Sequence, residues 1–169
     1  MIKLFGYILL IIFLLIVLIG WILPKERTFT QQTIFNVPPK IVYEIVTNNN
    51  DWKYRSDVKN LIITNNENGI ETWTEIAQNG SSIHFKTIEK KCYSYYSFEM
   101  KNSIMTGNWE AEFREVDNNQ TLFIATEKIK ISNPVFRIIS YLLFDVEKLM
   151  KIYQNDLKNK ITYTKYFKR

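Results

Sequence analysis

Leu4 to Leu23 is a run of 20 residues without a charge, and sixteen of them are Leu, Ile, Phe or Val. As a helix rising ~1.5 Å per residue, the run is about 30 Å long, the hydrocarbon thickness of a bilayer. Each large apolar residue favours insertion by roughly 0.3–0.6 kcal/mol, so the whole run favours it by several kcal/mol. A signal peptide is the competing reading. Its apolar region is usually about 7–15 residues long and ends at a small-residue cleavage site. Here the run continues through Gly20-Trp21-Ile22-Leu23-Pro24 with no A-x-A pattern. Tyr7 and Trp21, near its two ends, suit the interfacial belt. Residues 1–23 therefore read as an uncleaved, single-pass transmembrane anchor.

The anchor leaves 146 of the 169 residues, enough for one cored domain and too few for two. Aromatic residues at 15% and only five glycines argue against disorder. One Cys excludes a disulfide framework, and one Cys with one His argues against a multi-ligand zinc site. The sequence calls for no metal and no cofactor. The net charge of +5 equals the positives of the carboxyl tail: Lys158, Lys160, Lys165, Lys168 and Arg169, with no acid among residues 157–169. The rest of the chain is neutral overall and carries no basic stripe, so nucleic acid is excluded as a partner. Lys3 on one side of the anchor and Lys25 and Arg27 on the other nearly balance under the positive-inside rule. The basic tail, 162–169, tips the domain slightly toward the cytoplasmic leaflet, which is anionic. A solvated, frayed terminus explains the tail equally well.

After Pro24 the period changes to two. Thr28 to Val37 reads as a strand, stopped by Asn36-Val37-Pro38-Pro39. Ile41, Val42, Ile45 and Val46 recur at helical spacing after the prolines. Asn48 to Asp51 is a loop that caps a short second helix near Trp52 to Val58. Strands follow at 61–65, 70–77, 83–91, 93–101, 107–116 and 121–131. They are separated by polar turns, including Gln78-Asn79-Gly80-Ser81 with its Asn-Gly hairpin signal. Trp109, Ala111 and Phe113 share one face; Phe123, Ala125, Glu127, Ile129 and Ile131 share another. Asn133-Pro134 starts a helix to about Ile161 with the stripe Val135, Ile138, Ile139, Leu142, Val146, Leu149, Tyr153, Leu157 and Ile161. This order predicts an α+β fold, with a curved antiparallel sheet wrapped around a long C-terminal helix over residues 24–161.

The order and several local words resemble the START/birch-pollen-allergen superfamily (SRPBCC), in its bacterial, polyketide-cyclase-like, membrane-anchored branch. The words are Asn36-Val37-Pro38-Pro39, Tyr54-Arg55-Ser56-Asp57-Val58-Lys59, Trp73-Thr74-Glu75, Gly107-Asn108-Trp109, Thr121, Glu127 and Asn133-Pro134-Val135-Phe136-Arg137. Tyr54 stands where relatives often carry Trp. The resemblance implies a helix-grip fold with an internal cavity for an apolar or amphipathic ligand. Members bind lipids, sterols or polyketides, and a minority catalyse cyclisation.

The catalytic inventory is thin. His84 alternates with the inward candidates Ile83 and Phe85 and reads as an exposed strand residue. Cys92 reads as a part-buried small residue, and Gly69, Gly80 and Gly107 are isolated turn residues. Glu75 and Glu127 share parity with apolar neighbours. A carboxylate facing a cavity must be paired or protonated, and Arg55 and Arg137 are the candidate cations. Such a carboxylate serves as a head-group anchor, a general acid/base, or half of a structural ion pair. Trp73, Phe85, Phe98, Met100, Trp109, Phe113 and Phe123 are expected to face Leu142, Val146 and Leu149 on the helix. A close-packed core explains the same pattern, and the resemblance supplies the cavity. The resulting expectation is a membrane-anchored module that binds a lipid or other apolar small molecule. A cyclase- or hydratase-type enzyme and an accessory protein-interaction domain stand as alternatives.

Overall fold

The computed structural model describes residues 2–117 and 119–167, and side chains from Leu4 to Thr164 apart from Asn118. Lys168 and Arg169 of the basic tail and Asn118 of the 117–120 turn lie outside the described residues, as do the side chains of Lys3 and Lys165. Helix α1 (Ile2–Ile22) leads through three residues into strand β1 (Glu26–Phe35). Helix α2 (Pro39–Val46) and a 3-10 segment (Asn49–Tyr54) follow. Then come β2 (Val58–Glu67), β3 (Ile70–Ala77), β4 (Ser82–Lys91), β5 (Tyr95–Lys101), β6 (Thr106–Asp117) and β7 (Gln120–Lys130). Helices α3 (Pro134–Leu143) and α4 (Val146–Phe167) close the chain. All strand pairs are antiparallel, in the order β1-β7-β6-β5-β4-β3-β2. The sheet curls around α4, which gives the helix-grip α+β fold that the sequence predicts.

Alternation explains the core. Trp109, Ala111 and Phe113 of β6 and Phe123, Ala125 and Ile129 of β7 are all buried on the inner face, as are Val146, Met150 and Leu157 of α4. Bulges between Val58 and Asn60 and between Thr87 and Glu89 bend the strands. The single long helix is corrected: Phe144 is extended (φ −111°, ψ 101°), and Asp145 accepts from the Lys148 amide at 3.0 Å, starting α4 afresh. The new helix runs past Ile161 to Phe167. The second helix is a 3-10 segment that ends before Val58. Cys92 is exposed rather than part-buried, because it sits in the β4–β5 turn beside Tyr93, whose φ is +61°.

Arg137 is also corrected. It is 2% exposed and, among the described residues, its hydrogen bonds go to backbone carbonyls rather than to a carboxylate. Its Nη1 donates to the carbonyls of Gly20 (2.6 Å) and Leu23 (3.0 Å), its Nε to Ile131 (3.0 Å) and its Nη2 to Ser132 (2.8 Å). The carbonyls that end α1 would otherwise lack partners. Gly20 lets α3 approach, since a Cβ there would overlap the Pro134 carbonyl. Arg137→Ala strands four acceptors at this junction. Hydrogen bonds to a charged group are worth about 1.5–3 kcal/mol each, so the loss should reach at least ~3 kcal/mol. Arg137→Lys should recover little of it, because a single ammonium does not span four carbonyls. Denaturant titration of the full chain in detergent checks both.

Candidate ligand-binding cavity

Between the curled sheet and α4 lies a cavity of about 200 Å³. Its apolar wall comes from one inward-facing residue per strand crossing. Trp73 on β3 pairs with Phe85 on β4, Phe85 with Met100 on β5, and Phe98 on β5 with Trp109 on β6. The rings form two stacks, Trp73 on Phe85 (centroids 5.2 Å apart) and Phe98 on Trp109 (4.9 Å). Phe98 also presents its edge to Trp73 at 5.3 Å, so the four rings make one continuous surface. From α4, Val146, Leu149, Met150 and Tyr153 complete the wall. The lining residues Phe144 and Leu149 are 53% and 41% exposed and mark an apolar mouth.

Of the residues expected at the site, Trp73, Glu75, Phe85, Phe98, Met100, Trp109, Glu127, Val146 and Leu149 border the cavity. Three residues do not. Phe113 and Phe123 lie toward the β6–β7 turn, where α2 covers the sheet. There they pack against Tyr43, Phe35 and each other, with centroids 5.3–5.9 Å apart, as closed core. Leu142 is 76% exposed, because the break at Phe144 puts α3 outside the grip.

The polar end holds three carboxyls and one cation. Arg55 Nη1 donates to Glu75 Oε1 at 2.6 Å, and Trp73 Nε1 donates to the same oxygen at 2.9 Å. Glu75 and Glu127 stand on β3 and β7, four strands apart, which a flat sheet at ~4.8 Å per strand would separate by about 19 Å. The curl brings them together: Asp57 interacts electrostatically with both. Burial, and then Glu75, raise the Asp57 carboxyl. Burial would lower the Arg55 guanidinium, but Glu75, Tyr54 and Tyr153 hold it above its ordinary value. Glu127 is pushed from 4.5 up to about 7, by burial first and then by Asp57. Buried atoms of this end, Arg55 Nη2, Asp57 Oδ1 and Gln154 Nε2, have no hydrogen-bond partner among the described residues. The polar set thus reads as Arg55, Asp57, Glu75, Glu127 and Gln154. Sequence reasoning missed Asp57, which sits in a loop without periodicity, and Gln154, which is off the apolar stripe. Tyr153 was legible on that stripe. His84 is exposed and meets Thr74 on the outer face, as expected. Among the described residues, no cluster of His, Cys, Asp or Glu suits a metal.

No family model matches the chain, and no curated protein matches it. Solved structures do. An aromatase/cyclase from Streptomyces sp. R1128 superposes with a TM-score of 0.70 at 10% identity, covering 84% of this chain and 97% of its own. A START superfamily protein from Mycobacterium smegmatis gives 0.63 at 10% identity, covering 80% and 97%. Norcoclaurine synthase from Thalictrum flavum gives 0.65 at 7% identity, covering 81% and 87%. At these identities the likeness is one of fold: this chain has the START-like helix-grip architecture.

Two outcomes follow from the carboxyls. A folded-state value near 7 for Glu127 means that the native chain keeps a proton which the unfolded chain releases above about pH 4.5. Stability from this group is therefore complete below pH 4.5, falls between 4.5 and 7, and levels off above; the loss is on the order of 3 kcal/mol at most. Glu127→Gln should flatten that limb and unfold at higher urea than the parent at pH 8, read from titrations at pH 5 and 8. Arg55→Met leaves Glu75 and Asp57 without their cation and should cost about 3–5 kcal/mol. Adding Glu75→Gln should restore part of that loss, which a double-mutant cycle measures.

Proposed function

We propose that this chain is a membrane-anchored module that holds an amphipathic small molecule, with its apolar part against the aromatic wall and its polar group at the carboxyl end. The observation that supports this most is the pairing of an apolar cavity with buried polar atoms, on Arg55, Asp57 and Gln154, that have no hydrogen-bond partner among the described residues. Unmade buried hydrogen bonds cost about 1–3 kcal/mol each, and a ligand head group recovers them. The volume, about 200 Å³, lies below the roughly 300–1,000 Å³ of drug-sized pockets. It suits one acyl chain or a small ring system. Helix α1 is long and apolar enough to cross a bilayer and supplies the anchor. The basic carboxyl-terminal segment favours the cytoplasmic side, though Lys160 itself is taken by Asp51 at 2.6 Å.

One observation favours an enzyme: Glu127, near 7, is poised to give or take a proton at neutral pH. Two structural neighbours are an aromatase/cyclase and a norcoclaurine synthase by name. A cyclase acting on a polyketone-like substrate would use Glu127 as acid/base, with Arg55 stabilising developing oxyanion charge.

Native mass spectrometry of detergent-extracted protein should release a co-purifying lipid or apolar metabolite. A fluorescent fatty acid should bind with its emission enhanced. Leu149→Trp at the mouth should weaken that binding by at least ~10-fold. It should change stability by no more than about 0.5 kcal/mol, because the site is solvent-exposed. Absence of both a co-purifying molecule and probe binding would remove the binding reading. Turnover of a poly-β-ketone with a rate limb near pH 7, lost in Glu127→Gln, would replace it with the enzyme.

A further inference from the structure

Helix α3 has an outer face that no described residue covers. Leu142 and Leu143 are each 76% exposed, Phe144 53%, Ile139 41% and Phe136 40%. Five large apolar side chains within nine residues form a patch that a water-exposed surface rarely tolerates. Helix α3 packs against α1, whose last residues Trp21 and Ile22 are 74% and 76% exposed. The two helices are also locked together. Pro134 sits against Gly20 with no room for a Cβ, and Arg137 holds the Gly20 and Leu23 carbonyls. Around this patch lie groups suited to lipid head groups. Arg27 stacks at 4.3 Å on the Tyr141 ring, and Lys148 stands on the first turn of α4, where Lys151 is paired with Glu147 at 2.6 Å. The cavity mouth, at Phe144 and Leu149, opens at the end of the same helix.

We infer that α3 is a second membrane-contacting element, lying in the interfacial layer of the bilayer that α1 crosses, and that it sets the cavity mouth against that layer. A helix with one apolar face and a basic border lies in the interface plane with that face in the acyl boundary. The occupant of the α3 face is therefore lipid, and the mouth takes its ligand from the membrane rather than from water. This inference rests on the anchored reading of α1.

The test uses the full chain with Cys92→Ser, reconstituted in vesicles of phosphatidylcholine and phosphatidylglycerol. Single cysteines at Leu142, Leu143, Ile11 and Ile88 carry an environment-sensitive fluorophore. Nitroxide labels on shallow or deep acyl carbons quench from within the lipid; iodide quenches from water. Labels at 142 and 143 should be quenched by the shallow nitroxide and shielded from iodide. The label at 11, within α1, should respond to the deep nitroxide. The label at 88, exposed on β4, should respond to iodide alone. If 142 and 143 behave like 88 while 11 stays in lipid, the α3 inference is overturned and the anchor stands. If 11 is also open to iodide, the anchored reading fails and the inference with it. For the mouth, Leu142→Glu/Leu143→Glu should slow uptake of a fluorescent fatty acid from these vesicles by about tenfold while leaving its equilibrium affinity unchanged. Neither residue lines the cavity. An unchanged uptake rate would overturn the membrane-facing mouth.

Discussion

Arg137 binds four carbonyls from three segments: the end of α1, the exit of β7 and the approach to α3. A helix ends with carbonyls that nothing within it can satisfy, and a cation at that end is favoured by the helix dipole as well. Here one planar guanidinium does both, and its fixed fork imposes an orientation on whatever it joins. The sheet, the outer helix and the apolar helix are thereby referred to one another. Without that junction, α1 would be an appendage and α3 a loose amphipathic segment. With it, the cavity has a defined direction relative to α1.

The other concentrated expense of polarity is at the far end of the cavity. Glu75 takes the available contact with Arg55 and the indole donor of Trp73. Asp57 and Glu127 are left to share a low-dielectric space in which both cannot comfortably ionise. A fully apolar pocket of this size would hold an aliphatic chain without selectivity. A fully paired one would offer a ligand nothing to bind. The observed arrangement lies between the two: one satisfied ion pair for rigidity, and neighbouring polar atoms left open.

Much of this was legible from period and parity. Two-residue alternation placed Trp73, Phe85, Trp109 and Glu127 on the inner face, and each borders the cavity. Alternation reports a face, however, and not which part of that face is filled. Phe113 and Phe123 obey the same parity as Trp109, yet α2 covers their end of the sheet and closes it. The three-and-four stripe from Val135 to Ile161 likewise continues in phase across the extended residue Phe144. Only Asp145, a capping residue inside an apolar run, signals the break. Arg137 was expected among carboxylates because charge seeks charge. Its true partners are backbone carbonyls, which carry no signature in a sequence.

Three residues, 23–25, separate α1 from β1. A chain that short is no leash. For a helix seated in a bilayer, the sheet can neither swivel about the helix nor withdraw from the surface, so its attitude follows that of the helix. The apolar stretch of α1, Leu4–Ile22, is 19 residues and ~28 Å long, close to an average hydrocarbon core of about 30 Å, so a change in core thickness is met by a change in tilt. A thinner membrane would then lean the whole domain, and a thicker one would set it upright. For a chain so anchored, bilayer thickness becomes a mechanical input to the pitch of the sheet.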